Sequence, residues 1–406
     1  MSHIESSEIV DPIEGPVRDE PVAPGAVEVP RLARHEITLA DGHLVGVTVA
    51  GEGIPLVVVH GFSAEGFLYA QSLSRLVGMG FRVIAIDTAG HGATQGLPLS
   101  GQAMNDYAEL LGRCIDELGI ERFVLAGHSM GGQLVTRLAA QWPERTMAVI
   151  LIDAIVGDTW DRMVYLFRVA PPLLGMVGAL LVVDSLTIPP AFSDPRQATK
   201  LMRLAVPTVA GHLVQPWRLM GPMMSILRTR SSRYALDAIR NGEIPVIALH
   251  GSRDIAVPHR TSVDAVRRTE GTLVTIQRGG HSWPLTDPET LPAIMAEMLD
   301  GPLGDGIRRS LRAAGVRTRT PSIDQIRSAC YDPDARVFDL DPVDARRKVV
   351  GRHRKPRYRW TVEHPRPTGS APPTPNGRER TDRRSPTTAG GRKARPAKLD
   401  VVDGDA

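Results

Sequence analysis

The sequence predicts an α/β fold: a doubly wound, mostly parallel sheet interrupted by a helical cap insertion. Three observations carry this expectation. Short apolar runs closed by Gly or Asp recur along the chain, as in "PLVVVHG" (55–61), "FRVIAID" (81–87), "MAVILIDA" (147–154) and "PVIALHG" (245–251). Runs of that kind suit strands buried on both faces. Segments of helical length separate them, so crossovers rather than hairpins join the strands. The alternation breaks once, between Ala154 and Pro245, where a long stretch has helical content and its own Pro breaks.

Taken in order, residues 1–32 lack periodicity and read as a flexible leader. "HEITLADG" and "HLVGVTVAGEG" read as two strands joined by a turn, and "PLVVVHG" as the third strand. Then follow a helix over 65–79, the strand "FRVIAID", a helix over 101–119, the strand "RFVLAG", a helix over 131–142 and the strand "MAVILIDA". After the break come "PVIALHG", a helix over 259–269, the strand "TLVTIQRGG" (272–280) and a helix over 288–299. The core is therefore expected over 33–154 and 240–303. Residues 155–239 form a cap over the carboxyl edge of the sheet, where doubly wound folds keep their ligands. An extension with short helices occupies 304–364, and a disordered basic tail 365–406.

Composition narrows the function classes. The 406 residues are 42% hydrophobic, enough for a substantial core, and include only two cysteines, Cys114 and Cys330. Two cysteines give neither a disulfide framework nor a cluster with metal-ligand spacing, so no metal and no cofactor are expected. The acidic, Pro-rich amino terminus lacks a basic segment followed by an apolar run, and a cytoplasmic protein is expected. The apolar run Val169–Val183 spans 15 residues and contains Pro171-Pro172, which is short for a membrane span.

The chemistry concentrates at "VLAGHSMGGQLV" (124–135), where Gly127-His128-Ser129-Met130-Gly131 closes a strand and opens a helix. That context puts a serine on a strained turn with its hydroxyl lifted off the sheet edge. A neutral hydroxyl needs a base, and the base needs an acid to fix its tautomer. Asp254 in "ALHGSRDIAVP" and His281 in "IQRGGHSWP" lie just past the two latest strands, in the chain order Ser, Asp, His. Asp153, which ends "VILID", stands as an alternative acid. Backbone N–H groups of Met130 and Phe62 are placed to form an oxyanion hole. His128 is expected to support the turn, His250 to be packed and Asp87 to brace its loop, whereas His91 is open to a substrate contact.

Together, "HGFS" (60–63), "DTAGHG" (87–92), "GHSMGG" (127–132), "GSRDIAVP" (251–258) and "GGHSWPLTDPE" (279–289) resemble the α/β-hydrolase superfamily over roughly residues 34–303. The resemblance implies a serine-nucleophile esterase or lipase-like enzyme with the triad Ser129, Asp254 and His281. Thr88, Ala89 and Ala93 depart from the residues that many relatives carry in the second motif. Ser129 itself argues against epoxide hydrolases and dehalogenases, which have Asp there.

The expected activity is hydrolysis of a carboxylic ester of an apolar acyl substrate through an acyl-enzyme. Carbon-carbon bond hydrolysis or perhydrolysis by the same triad, and a non-catalytic binding protein on the same fold, are the alternatives. The cap methionines Met163, Met176, Met202, Met220, Met223 and Met224 would suit an acyl chain. Residues 346–398 carry 17 Arg or Lys against three acidic residues. Within them, "RRKVVGRHRKPRYRW" (346–360) combines cations with Tyr358 and Trp360, which suggests reversible contact with an anionic membrane. No nucleic-acid fold accompanies this tail, so no nucleic-acid partner is expected.

Overall fold

The computed structural model describes residues 27–29, 32–62, 64–98, 103–170, 172–173, 195–340, 348–350 and 355–366. Eleven strands are present among them: β1 Val27–Val29, β2 Ala33–Thr38, β3 Leu44–Ala50, β4 Ile54–Val59, β5 Phe81–Ile86, β6 Phe123–His128, β7 Thr146–Ile152, β8 Val246–Gly251, β9 Thr272–Ile276, β10 Lys348–Val350 and β11 Trp360–Glu363. Nine form one sheet in the order β11-β9-β8-β7-β6-β4-β5-β3-β2. Neighbours from β5 through β4 to β9 run parallel, while β2, β3 and β11 add antiparallel pairs at the edges.

Every residue of β4, β5, β6, β7 and β8 is buried, because helices cover both faces. The described helices are α1 Ala70–Val77, α2 Met104–Glu117, α3 Met130–Gln141, α4 Asp158–Val169, α5 Pro195–Val214, α6 Met220–Leu227, α7 Arg233–Asn241, α8 Arg260–Thr269, α9 Trp283–Thr286, α10 Thr290–Leu299, α11 Pro302–Ala313 and α12 Ile323–Cys330. The continuous Val/Ile/Leu text of the central strands follows from that two-sided burial. The chain enters the middle of the sheet at β4, then builds β5 on one side and β6 onward on the other. The crevice at such a reversal is where doubly wound sheets bind ligands.

The cap is narrower than 155–239. Helix α7 packs against α3 and α8, so residues 233–241 belong to the helical layer of the core as the crossover into β8. The remaining cap is tied onto the loops at the carboxyl edge. Thr208 of α5 donates to Glu65 Oε1 at 2.9 Å, Glu65 pairs with Arg34 at 2.7 Å, and Arg218 donates to the carbonyls of Gly92 and Thr94 at 3.1 Å. Residues 171 and 174–194 lie outside the described residues, and with them most of the apolar run 169–183. No described helix is long and apolar enough to cross a membrane.

Both ends of the chain depart from the sequence expectations. Part of the leader, β1, pairs with β10 from the basic segment. The end of the extension, β11, pairs antiparallel with β9 and becomes an edge of the main sheet. Tyr358 hydrogen-bonds Thr286 at 2.9 Å, and Trp360 Nε1 donates to Glu297 Oε2 at 2.7 Å. The two aromatic residues that would anchor a membrane contact therefore pack on the core of the main sheet. The tail beyond Arg366 lies outside the described residues. Helices α11 and α12, read from the sequence as short helices, brace the core, and just beyond α12 the buried Arg82 sits 5.0 Å from the Phe338 ring and donates to the Val337 carbonyl.

A chain ending at Pro342 is expected to melt several degrees below one ending at Arg366, since it loses β11 and exposes the β9 edge. Equal melting temperatures in differential scanning calorimetry would show that β11 adds nothing to the fold.

Candidate active site

Ser129 stands between β6 and α3 with φ 51 and ψ −114, a backbone region that a residue with a Cβ occupies only under strain. The surrounding backbone holds it there. Its N–H donates to the Ile152 carbonyl at 2.9 Å, and its carbonyl accepts from the N–H groups of Gly132 and Ile155 at 3.0 and 3.2 Å. The turn closes so tightly on β4 that a Cβ at Gly131 would lie 2.2 Å from the Val59 carbonyl oxygen, which explains the glycine. Ser129 itself is 7% exposed.

His281 sits in the loop after β9. Its Nδ1 is 2.7 Å from Asp254 Oδ2, in the loop after β8. Asp254 Oδ1 accepts from the N–H groups of Ala256 and Val257 at 2.8 and 2.9 Å. Burial alone would raise this carboxyl, but His281 and the Val257 N–H outweigh it and hold Asp254 below the usual range. An ionised Asp254 fixes Nδ1 of His281 as the protonated nitrogen and leaves Nε2 as an acceptor.

The loops converge on the elbow. A Cβ at Gly61, in the loop after β4, would lie 3.1 Å from Ser129 Cβ and 2.8 Å from His128 Nδ1. His128 Nε2 donates to the His281 carbonyl at 3.1 Å, so its Nδ1 accepts from the Tyr69 hydroxyl at 2.8 Å. Burial, followed by the charge of His281, lowers His128 to about 3, so the ring is neutral. The support role expected for His128 has a definite form: it spans Tyr69, the serine elbow and the His281 loop. Tyr69 was not legible as part of this arrangement, since nothing in "GFLYA" distinguishes it from an ordinary core aromatic.

The competing residues take structural places. His91 is fully buried, with Nδ1 2.9 Å from Thr88 Oγ1, so it packs within its loop rather than facing open space. Phe62 touches it edge-on, with ring centroids 6.2 Å apart. Asp87 accepts from the N–H groups of Gly66 and Ala93 at 2.8 and 3.3 Å, bracing two loops as expected. Burial raises Asp87 to about 6. His250 lies in β8, its Nε2 donating to the Val257 carbonyl at 3.0 Å and its Nδ1 accepting from Ser262 at 2.8 Å. Asp153 is not the acid that touches His281; it accepts from the Gly251 N–H at 2.8 Å and from Trp283 Nε1 at 2.6 Å.

Residues 56–294, more than half of the chain, match the Alpha/beta hydrolase family. The chain belongs to this family. A putative non-heme haloperoxidase of Mycobacterium phage D29 is 32% identical over 268 residues, covering 65% of this chain and 94% of the relative. A putative carbamate hydrolase of Pantoea ananatis is 27% identical over 247 residues, covering 60% and 87%. Among solved structures, a carboxylesterase of Nitrososphaera gargenis shares the fold with a TM-score of 0.52 at 20% identity, covering 68% of this chain and 99% of that one. The protein is thus an enzyme of the alpha/beta hydrolase superfamily.

Proposed function

We propose that this hydrolase cleaves carboxylic esters of apolar acyl substrates through an acyl-enzyme on Ser129. One observation carries the reading: a serine strained at a strand-to-helix elbow shares a buried loop cluster with a histidine whose Nδ1 is held 2.7 Å from an ionised carboxylate. In this reading His281 Nε2 takes the Ser129 proton as Oγ attacks the carbonyl carbon, and Asp254 stabilises the imidazolium. The N–H groups of Met130 and Phe62 receive the oxyanion. Met130 is the first residue of α3, where an N–H has no partner within the helix and the helix dipole favours negative charge. His281 then returns the proton to the leaving alcohol, and water, activated by the same imidazole, releases the acid.

The apolar substrate class rests on the cap. Leu166 and Val169 of α4, with Met202, Val206 and Leu213 of α5, are exposed at the surface of this insertion. Exposed apolar groups on these two cap helices suit contact with an apolar ligand or surface.

The test is a chain-length series of p-nitrophenyl esters with wild type and Ser129→Ala in parallel. kcat/KM should rise from acetate to longer acyl chains in the wild type only, each buried CH₂ contributing about 0.8 kcal/mol. A flat response would remove the apolar acyl site, and Ser129-independent turnover would remove the acyl-enzyme.

The phage relative's name favours a second reading, in which hydrogen peroxide replaces water in deacylation and the acid leaves as a peracid. Ser129-dependent oxidation of bromide in the presence of peroxide and a carboxylic acid would support it.

A further inference from the structure

Asp153, at the end of β7, is completely buried and adopts φ 44, a left-handed conformation uncommon for residues other than glycine. Around it gather the groups that matter for charge. Asp254 approaches from the loop after β8, and His250 from β8, its Nε2 3.8 Å from Asp153 Oδ1 and 3.6 Å from Asp254 Oδ2. One oxygen of each carboxyl and one nitrogen of His250 all fit within 4.8 Å of one another. Tyr69 faces Asp153 at longer range, Trp283 and Gly251 supply N–H donors, and His281 reaches the cluster through Asp254.

His250 brings no positive charge. Burial lowers His250 to about 4, so the ring is neutral, and because a carbonyl only accepts, Nε2 carries its one hydrogen toward Val257 while Nδ1 accepts from Ser262. Two carboxyl groups are left in one buried site, and like charges that close cannot both ionise there. Asp254 receives three donors, from Ala256, Val257 and His281. Asp153 receives two, from Gly251 and Trp283. The better-solvated anion is Asp254.

We propose that Asp153 carries a proton in the resting enzyme and donates it in a hydrogen bond to Asp254, so that the acid behind His281 is a carboxyl pair of net charge −1. Asp153 is then a positioning residue: it touches no substrate, and it sets how strongly Asp254 can attract the proton on His281. Burial, then the charge of Asp254, raises Asp153 well above the usual carboxylate range, in keeping with this assignment. The consequence for His281 rests on the triad reading above. The protonation of Asp153 does not.

Infrared spectroscopy at about pH 8 reads the proton directly, since Asp87, raised to about 6, is ionised there. The wild type and Ser129→Ala should both show a carboxylic-acid C=O stretch that disappears in Asp153→Asn. Absence of that band, or its survival in Asp153→Asn, overturns the proposal. The acidic limb of kcat/KM against pH supplies a second readout whose sign discriminates. Asp153→Asn keeps an N–H donor for Asp254 and should leave the limb in place. Asp153→Leu removes the donor without removing a charge, makes Asp254 a stronger partner for the imidazolium, and should move the limb up by about one pH unit. A downward movement in both variants would mean that Asp153 is an anion and the proposal is wrong. A band at Asp153 together with undiminished turnover by Ser129→Ala would uphold the carboxyl pair and reject the triad.

Discussion

Ser129→Ala is expected to lower ester turnover on the order of 10⁶-fold and to abolish labelling by a fluorophosphonate, with the melting temperature nearly unchanged. The size follows from the role: without Oγ no covalent intermediate forms, and only binding and the oxyanion donors remain. Stability is expected to survive because the elbow is held by backbone. The Ser129 N–H and carbonyl bond to Ile152, Gly132 and Ile155, and alanine meets the same strain at φ 51 that serine does. Circular dichroism and a thermal melt alongside the kinetics separate a lost nucleophile from a lost fold.

Asp254→Asn carries the second large effect, a loss of roughly 10⁴ in kcat. An asparagine would keep its oxygen toward the Ala256 and Val257 N–H groups, which only donate. Its NH₂ would then face His281 Nδ1, which would have to accept. The hydrogen would move to Nε2, and the imidazole could no longer take a proton from Ser129. Asp153→Asn should cost far less, because no atom of Asp153 is bonded to His281. Full activity in Asp254→Asn with a severe loss in Asp153→Asn would exchange the two acids.

The central sheet was legible because burial on both faces writes itself as unbroken apolar runs, and each run read as a strand between 55 and 280 is a strand. The elbow was legible for a related reason: the close approach of Gly131 to Val59 admits no side chain, so the constraint appears as glycines around one serine. Asp254 and His281 followed from chain order. The places where reading failed share a different physics. β1, β10 and β11 are three or four residues long, too short to show a period, and their pairing is set by partners distant in the chain. The basic composition of 346–360 masked the fact that Tyr358 and Trp360 have hydrogen-bond partners in the core. Helix α7 was assigned to the cap because an amphipathic helix does not state which layer it joins. Tyr69 and the Asp153–Asp254 pair depend on geometry across loops, which one-dimensional spacing does not encode.

The account stands on a covalent bond to one oxygen atom, and mass spectrometry of the quenched reaction tests it most directly. Wild-type protein mixed with a slowly deacylating p-nitrophenyl ester and stopped in acid should gain the mass of one acyl group, located by fragmentation on the peptide containing Ser129. Ser129→Ala should gain none. Steady turnover by the wild type with no acylated species, or with the acyl group on a residue other than Ser129, would contradict the account.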